Sequence, residues 1–211
     1  MGSLRRVEPL SREFGYDRGL PVDRHYVEGF LGENADLISG RVLEVGDASY
    51  TRRFGGARVT RSDVVNVVGG DPETTFVADL ADAPGLPSST FDCVVLTQTL
   101  HLVYDLEAAV ATLHRILRPG GIVLATVPGI TQISSDRWAR TWYWSLTPLA
   151  ADRLFGDTFG PDQVEVYSYG NVLSAVAFLE GMAATELRPA ELGVRDGNYP
   201  LVVAIRAVRG E

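Results

Sequence analysis

The stretch EVGDASYT, Glu44 to Thr51, decides how this chain is read. It continues the run RVLEV, a short apolar segment between Gly40 and Gly46, as expected of a strand buried on both faces. Gly46 stands where such a strand must leave its sheet. Glycine tolerates positive φ there and lets a ligand approach the backbone without meeting a Cβ. The residues that follow are poor in glycine. A dinucleotide loop asks for GxGxxG and a triphosphate loop for GxxxxGK[ST], and GDASYT supplies neither. The ligand expected at this strand end is a nucleoside without a phosphate chain.

Working outward, RVTRSDVV (58–65), TTFVADL (74–80), FDCVVLTQ (91–98) and GIVLATVP (121–128) read as further strands. DLEAAVATLHRIL is an amphipathic helix with Ala109, Val110, Leu113, Ile116 and Leu117 on its buried stripe, Asp105 as cap and PGG at 119–121 as stop. Thr147 and Pro148 open another helix, and QVEVYSY and YPLVVAIRAV supply two late strands. Between them VLSAVAFLEGMAATEL reads as one helix. Upstream, Asp23 is placed to cap a helix reaching about Ile38, with Tyr26, Val27, Phe30 and Leu31 on one side. Alternating strand and helix imply right-handed crossovers. The expected fold is α/β: a three-layer open sandwich around a mostly parallel, seven-stranded sheet.

One domain spanning 1–211 is expected, with an N-terminal arm and helix at 1–38, an α/β core from 39 onward and a helical insertion near 172–190. The net charge of -8 argues against a nucleic-acid surface, which needs clustered Lys and Arg. A single cysteine, Cys93 in an apolar run, gives neither a disulfide framework nor a thiolate metal site. No apolar stretch approaches the ~18 residues that cross a bilayer, and MGSLRRVEPLSREF lacks the apolar centre of a secretory signal. A cytoplasmic location, a small-molecule partner, no nucleic acid and no membrane are the corresponding expectations. Leu173, Val176, Phe178 and Leu179 suit either a homodimer face or the interior.

In an open parallel sheet the ligand lies beyond the strands' carboxyl ends, where the strand order reverses. Two aspartates follow the first strand toward that edge. Asp63 comes 17 residues after Gly46 and is a candidate for ribose hydroxyls, and Asp79 in VADL for an adenine amino group. Either one alone is more often a cap or a solvated strand end, and it is the two together, in a row along one edge of the sheet, that point to a ligand.

VLEVG, SDV, ADL and LPSSTFDCVVLTQTLHLVYDLEAAVATLHRILRPGGIVLATVP resemble the class I S-adenosylmethionine-dependent methyltransferases over roughly residues 38–130. The resemblance implies a Rossmann-like methyltransferase fold and S-adenosylmethionine as cofactor. It maps Glu44, Gly46 and Asp47 onto the first cofactor motif, Asp63 onto the ribose acid, Asp79 onto the adenine contact and Thr97 onto a cofactor-facing position after the fourth strand. The glycine-rich motif is degenerate: Ala48 and Tyr50 stand where the family places glycines. Eleven residues between Gly46 and Arg58 leave room for little more than one helical turn, and VVGGDPE replaces the next helix. The N-terminal arm, with Tyr16, Arg18, Arg24, His25 and Tyr26, is the expected compensation.

Methyl transfer from a sulfonium is an in-line displacement in which alignment supplies much of the catalysis. A hydroxyl acceptor is helped by a base, and histidine titrates nearest neutrality. Of three histidines, His101 just past the fourth strand is the first candidate and His25 in the arm the second; His114 reads as solvated. Asp136, Arg137, Trp138, Trp142 and Tyr143, after the fifth strand, are candidate acceptor contacts, since aromatic rings stack on a sugar or flat ring while the charged pair hydrogen-bonds it. No metal is indicated, because the aspartates are spread along the sheet edge. The expected function is methyl transfer to a small polar acceptor, a hydroxyl of a sugar or natural product. A binding or assembly module with an impaired loop, or another reaction in the same cleft, stays open.

Overall fold

RVLEV forms an interior strand, third in spatial order, of a seven-stranded sheet in the computed structural model, which describes residues 5–211. The strands are β1 (Gly40–Val45), β2 (Val59–Asn66), β3 (Phe76–Val77), β4 (Phe91–Thr97), β5 (Leu117–Pro128), β6 (Val164–Tyr169) and β7 (Val202–Val208). Their spatial order is β3-β2-β1-β4-β5-β7-β6. All neighbours are parallel except β7, which runs antiparallel to both β5 and β6. Strand order therefore reverses between β1 and β4, and the crevice at their carboxyl ends is the favoured ligand position.

Alternate side chains of the central strands feed two cores. Leu43, Val94 and Val123 face α2 (Leu106–Ile116) and α3 (Pro148–Phe159), packing with Leu113 and Phe155. Val42, Cys93 and Val95 face the other layer, made by α1 (Val22–Glu33), α4 (Val172–Leu179) and α5 (Pro189–Leu192), and pack with Phe30 and Phe178. Burial pushes the Cys93 thiol up to about 12, so it behaves as an apolar side chain. Asp105 caps α2 by accepting from the Ala108 N–H, and Thr147 caps α3 by accepting from the Ala150 N–H.

Several boundaries differ from the sequence expectation. Pro21, not Asp23, precedes the first turn of α1, and the helix ends at Glu33 rather than near Ile38. TTFVADL yields only the two-residue β3, because Asp79 folds back into a turn by accepting from the Ala81 N–H. The PGG sequence lies inside β5, with α2 already ended at Ile116. The apolar run after β6 breaks at Leu179, because Gly181 turns the chain at φ +72° before a short 3-10 turn at Ala184–Glu186. That break leaves Leu173 and Leu179 exposed while Phe178 stays buried. The thin connections are present as spaced: a π-type turn at Thr51–Gly55 and a 3-10 turn at Gly56–Arg58 follow β1, and no helix joins β2 to β3.

The arm lies on this broken insertion. The Leu10 and Ser11 N–H groups donate to the Glu180 carbonyl at 2.8 and 3.1 Å, and the Ala184 N–H donates to the Leu20 carbonyl at 2.7 Å. The backbones touch so closely that a Cβ on Gly181 would sit 2.2 Å from the Ser11 carbonyl oxygen. Arg18 forms an ion pair with Glu186. No helix among the described residues is long and apolar enough to cross a membrane.

Candidate active site

A cleft of about 440 Å³ opens at the strand-order reversal. Val45, Asp47, Ser49 and Tyr50 form its floor and one side, and Thr97 at the tip of β4 faces them. Tyr16 of the arm and Arg24 and Glu28 of α1 close the mouth. Gly46 adopts φ +97°, and a Cβ built on it meets nothing within 4 Å. Backbone geometry therefore demands glycine here, and the space before it is open to a ligand.

The loop after β1 holds itself together without further glycines. Glu44 is buried and accepts from the Tyr50 and Thr51 N–H groups at 3.2 and 2.7 Å, capping the short helical turn. Burial raises its carboxyl to about 7 despite those bonds. Asp47 accepts from the Ser49 N–H at 2.7 Å. Ala48 is packed inward, and the half-buried Tyr50 turns its ring toward Phe54, 6.0 Å away, while its edge still lines the cleft.

Asp63 does not reach this cleft. It pairs with Leu43 in the middle of β2 and is 1% exposed, with one oxygen 2.7 Å from Arg41 Nε and the other 3.1 Å from Arg61 Nη2. Both oxygens are occupied, so it serves the sheet rather than a ribose. The residue at the tip is Asn66, whose Nδ2 donates to the Gly46 carbonyl at 3.0 Å and to Thr74 Oγ1 at 2.9 Å. Strand register identifies it: Val45 pairs with Val65, so the residue level with Gly46 is the next one. Beside it Val67, Val68 and Val77 stand exposed at the tips of β2 and β3, an apolar platform with no helix over it. Asp79 is exposed on the same side and commits one oxygen to its own turn.

On the β4 side the polar groups are buried instead. His101 sits in the 3-10 turn Leu100–Leu102, 2% exposed, with its ring 4.3 Å from that of Trp142. Its Nδ1 has no partner among the described residues, and neither do Gln98 Nε2 and Trp142 Nε1. Burial, with the Arg24 charge second, pulls the imidazole down to about 4, so it is neutral at neutral pH. The His101 carbonyl accepts from the Tyr143 N–H at 2.9 Å and so anchors the aromatic segment. Phe14 of the arm stacks on Trp142 at 5.9 Å.

The other expected acceptor residues point elsewhere. Asp136 caps the turn Arg137–Thr141 by accepting from the Trp138 N–H, and Arg137 lies over the Trp138 ring at 4.6 Å, with both charged residues exposed. Tyr143 meets Tyr104 edge-on at the surface, and Trp144 donates to the Val103 carbonyl. Only Trp142 of this segment joins the histidine. His25 is exposed on the outer side of α1, and its neighbour Arg24 turns to the cleft and donates from Nε to the Tyr16 hydroxyl at 2.8 Å. His114 is not fully solvated but lies edge-on against Phe159 at 5.0 Å. No group of three or more His, Cys, Asp or Glu among the described residues is placed to hold a metal ion.

Taken together, the open space before Gly46, the uncovered valines and the unpartnered polar atoms near β4 suit a flat base and sugar on one side and a polar acceptor on the other. A family described as methyltransferase domain matches residues 44–125. The chain is 24% identical over 204 residues to a malonyl-[acyl-carrier protein] O-methyltransferase of Serratia marcescens, covering 87% of this chain and 80% of that protein. Among solved structures it resembles a SAM-dependent methyltransferase from Archaeoglobus fulgidus, with a TM-score of 0.57 at 13% identity over 88% of this chain and 94% of the other. It also resembles the 1,6-didemethyltoxoflavin-N1-methyltransferase of Burkholderia thailandensis, with a TM-score of 0.56 at 16% identity over 88% and 77%. At these identities the structural likeness is one of fold. Together with the sheet order, it shows the fold of the S-adenosylmethionine-dependent methyltransferases, and the methyltransferase-domain match lies on the part of that fold from residue 44 to residue 125.

Proposed function

We propose that this chain moves a methyl group from S-adenosylmethionine to an oxygen of a small polar acceptor, a hydroxyl of a sugar or natural product. The observation that carries the reading is His101: a buried, neutral imidazole with an unpartnered nitrogen at the tip of β4, packed on Trp142. When bound, the cofactor supplies a methyl group made electrophilic by its sulfonium.

The chain's own residues do the rest. Gly46 admits a ligand against the backbone, and Asn66, whose Oδ1 has no partner among the described residues, takes the place of the ribose acid. Val67, Val68 and Val77 offer an apolar face to a purine ring, with the second Asp79 oxygen at its edge. On the β4 side Trp142 Nε1 and Gln98 Nε2, buried N–H donors with no partner among the described residues, are the groups this reading assigns to acceptor oxygens. Holding the acceptor oxygen in line is the main catalytic contribution. His101 accepts the hydroxyl proton. With its conjugate acid near pH 4 it is a weak base, so the proton shifts late, as the oxygen becomes acidic on gaining the methyl.

A second reading, a binding or assembly module, is favoured by one observation: Asp63 is tied up by two arginines, so the cofactor's usual anionic anchor is absent. Calorimetric titration with S-adenosylhomocysteine separates the two, since the enzyme reading expects saturable binding and the module reading expects none at millimolar ligand. Transfer of label from methyl-labelled cofactor to a panel of sugars, hydroxylated aromatics and short carboxylic acids then tests the acceptor. The acids belong in that panel because the Serratia relative is named for a malonyl acceptor.

A further inference from the structure

We propose that Phe14 is a positioning residue for methyl transfer: stacked on Trp142, its ring fixes the indole against His101 and makes the N-terminal arm part of the acceptor side. The inference rests on the methyl-transfer reading above. Among the described residues three non-glycine positions take positive φ: Phe14 at 57°, Ser89 at 48° and Gln98 at 45°. Two of them meet the buried pair. Gln98 follows the tip of β4 just before the turn that carries His101, and Phe14 reaches Trp142 from the arm. A bulky side chain on left-handed backbone costs about 1–3 kcal/mol and persists only where its surroundings over-determine it. Phe30 and Phe178 reach the neighbouring core from regular helices, so filling that core does not by itself require an aromatic ring on strained backbone.

The contacts around Phe14 hold it in that state. Its ring lies 6.0 Å from that of the buried Phe178 in α4. The next residue, Gly15, has φ +95°, and a Cβ there would sit 2.6 Å from the Met182 carbonyl oxygen. The Ser11 N–H donates to the Glu180 carbonyl, and Gln132 Nε2 donates to the Arg12 carbonyl at 3.3 Å, so the arm is tied both to the insertion and to the segment after β5. These ties force the turn, and the turn delivers the ring to Trp142. The two rings are 13° from parallel with centroids 5.9 Å apart, an offset stack. An indole N–H lies in the plane of its own ring. A neighbour that fixes the plane therefore limits where Nε1 can point, and Nε1 is buried with no partner among the described residues. The same indole stands 4.3 Å from the imidazole, where it keeps water from His101 and sustains the burial that pulls this group down. Trp142 is itself only half-buried, so without Phe14 its ring has room to turn.

Two substitutions in the full chain separate the ring from the backbone that carries it. Phe14→Asn removes the ring and suits left-handed backbone, and Phe14→Tyr keeps a ring of the same shape. Three readouts apply: the titration of the His101 imidazole by NMR, the indole N–H resonance of Trp142 identified with Trp142→Phe, and calorimetry with S-adenosylhomocysteine. In Phe14→Asn the imidazole midpoint should rise from about 4 to about 5 or higher as water reaches the ring, and the Trp142 resonance should shift or broaden. Affinity for S-adenosylhomocysteine should stay within about twofold of the unsubstituted protein. Phe14→Tyr should return both NMR signals to their original positions. An unchanged midpoint and resonance in Phe14→Asn overturn the positioning role and leave the methyl-transfer reading intact. So does a loss of S-adenosylhomocysteine affinity in step with the NMR changes, or their persistence in Phe14→Tyr, since either marks a residue that merely holds the fold. Failure of the unsubstituted protein to bind S-adenosylhomocysteine overturns the methyl-transfer reading and the role of Phe14 with it.

Discussion

Beside the cleft, β2 and β3 end in two strand tips with no helix between them, and Val67, Val68 and Val77 face solvent. On the β4–β5 side His101 is buried, Trp142 packs against both it and Phe14, and three polar atoms are buried without partners among the described residues. The first side has apolar surface to offer and little polar surface held in place; the second has fixed polar groups and little exposed surface. A ligand lying across both would be held by area on one side and by directional hydrogen bonds on the other. Burial of the valines by a base is a hydrophobic contribution that needs no exact geometry. The unpartnered atoms, by contrast, reward only a ligand that matches them, since a buried donor without an acceptor is costly.

The sharpest way to break this contrast is at the buried side. His101→Gln should lower turnover by about 10²–10⁴-fold while leaving S-adenosylhomocysteine affinity nearly unchanged, as steady-state rates and calorimetry would show. Equal losses in both would mean that the histidine holds the fold rather than the reaction.

The same residue predicts an acid-sensitive stability. Its folded pKa of about 4 lies below the ordinary 6.5, so the unfolded chain binds the proton first as pH falls. Stability from this group is complete above about pH 6.5 and is lost between there and pH 4, a decline on the order of 3 kcal/mol. Glu44 works in the opposite sense, because its raised carboxyl makes the folded state the better proton binder up to about pH 7. Urea midpoints of the wild type and His101→Gln between pH 7 and pH 4 separate them: the variant should lose less stability across that range.

On the open side, Asp63→Ala should cost about 2–3 kcal/mol of stability, because it strands Arg41 and Arg61 in and beside the sheet. Cofactor affinity should stay within about twofold of wild type once the folded fraction is accounted for. A selective loss of affinity would return Asp63 to the role its sequence position suggests. The smallest effect is expected at Tyr50→Ala, a weakening of cofactor binding by about fivefold, or roughly 1 kcal/mol, rather than the gain a glycine-rich loop would suggest.

The sheet was legible because its information is local and periodic. Apolar runs, Asp105 and Thr147 as caps, and the spacing of strand and helix all act within a few residues. Legibility failed where a choice depended on register or on distant partners. SDVV puts an aspartate near a strand end, but the pairing of Val45 with Val65 moves the tip to Asn66. On α1, His25 and Arg24 are adjacent in sequence and differ by one step of helical rotation, and that step sends one outward and the other to the cleft. Among four neighbouring aromatics, nothing in the composition singles out Trp142; the His101 carbonyl does so by fixing Tyr143 and Trp144 from the other side.

The ion pair between Arg18 and Glu186 joins positions 168 residues apart. During translation the arm emerges before the insertion it lies on and has nothing to pack against until that insertion has followed. Until then Tyr16 has no fixed station and the mouth of the cleft stays unformed, so tight occupancy of this cleft would report an insertion already folded under the arm.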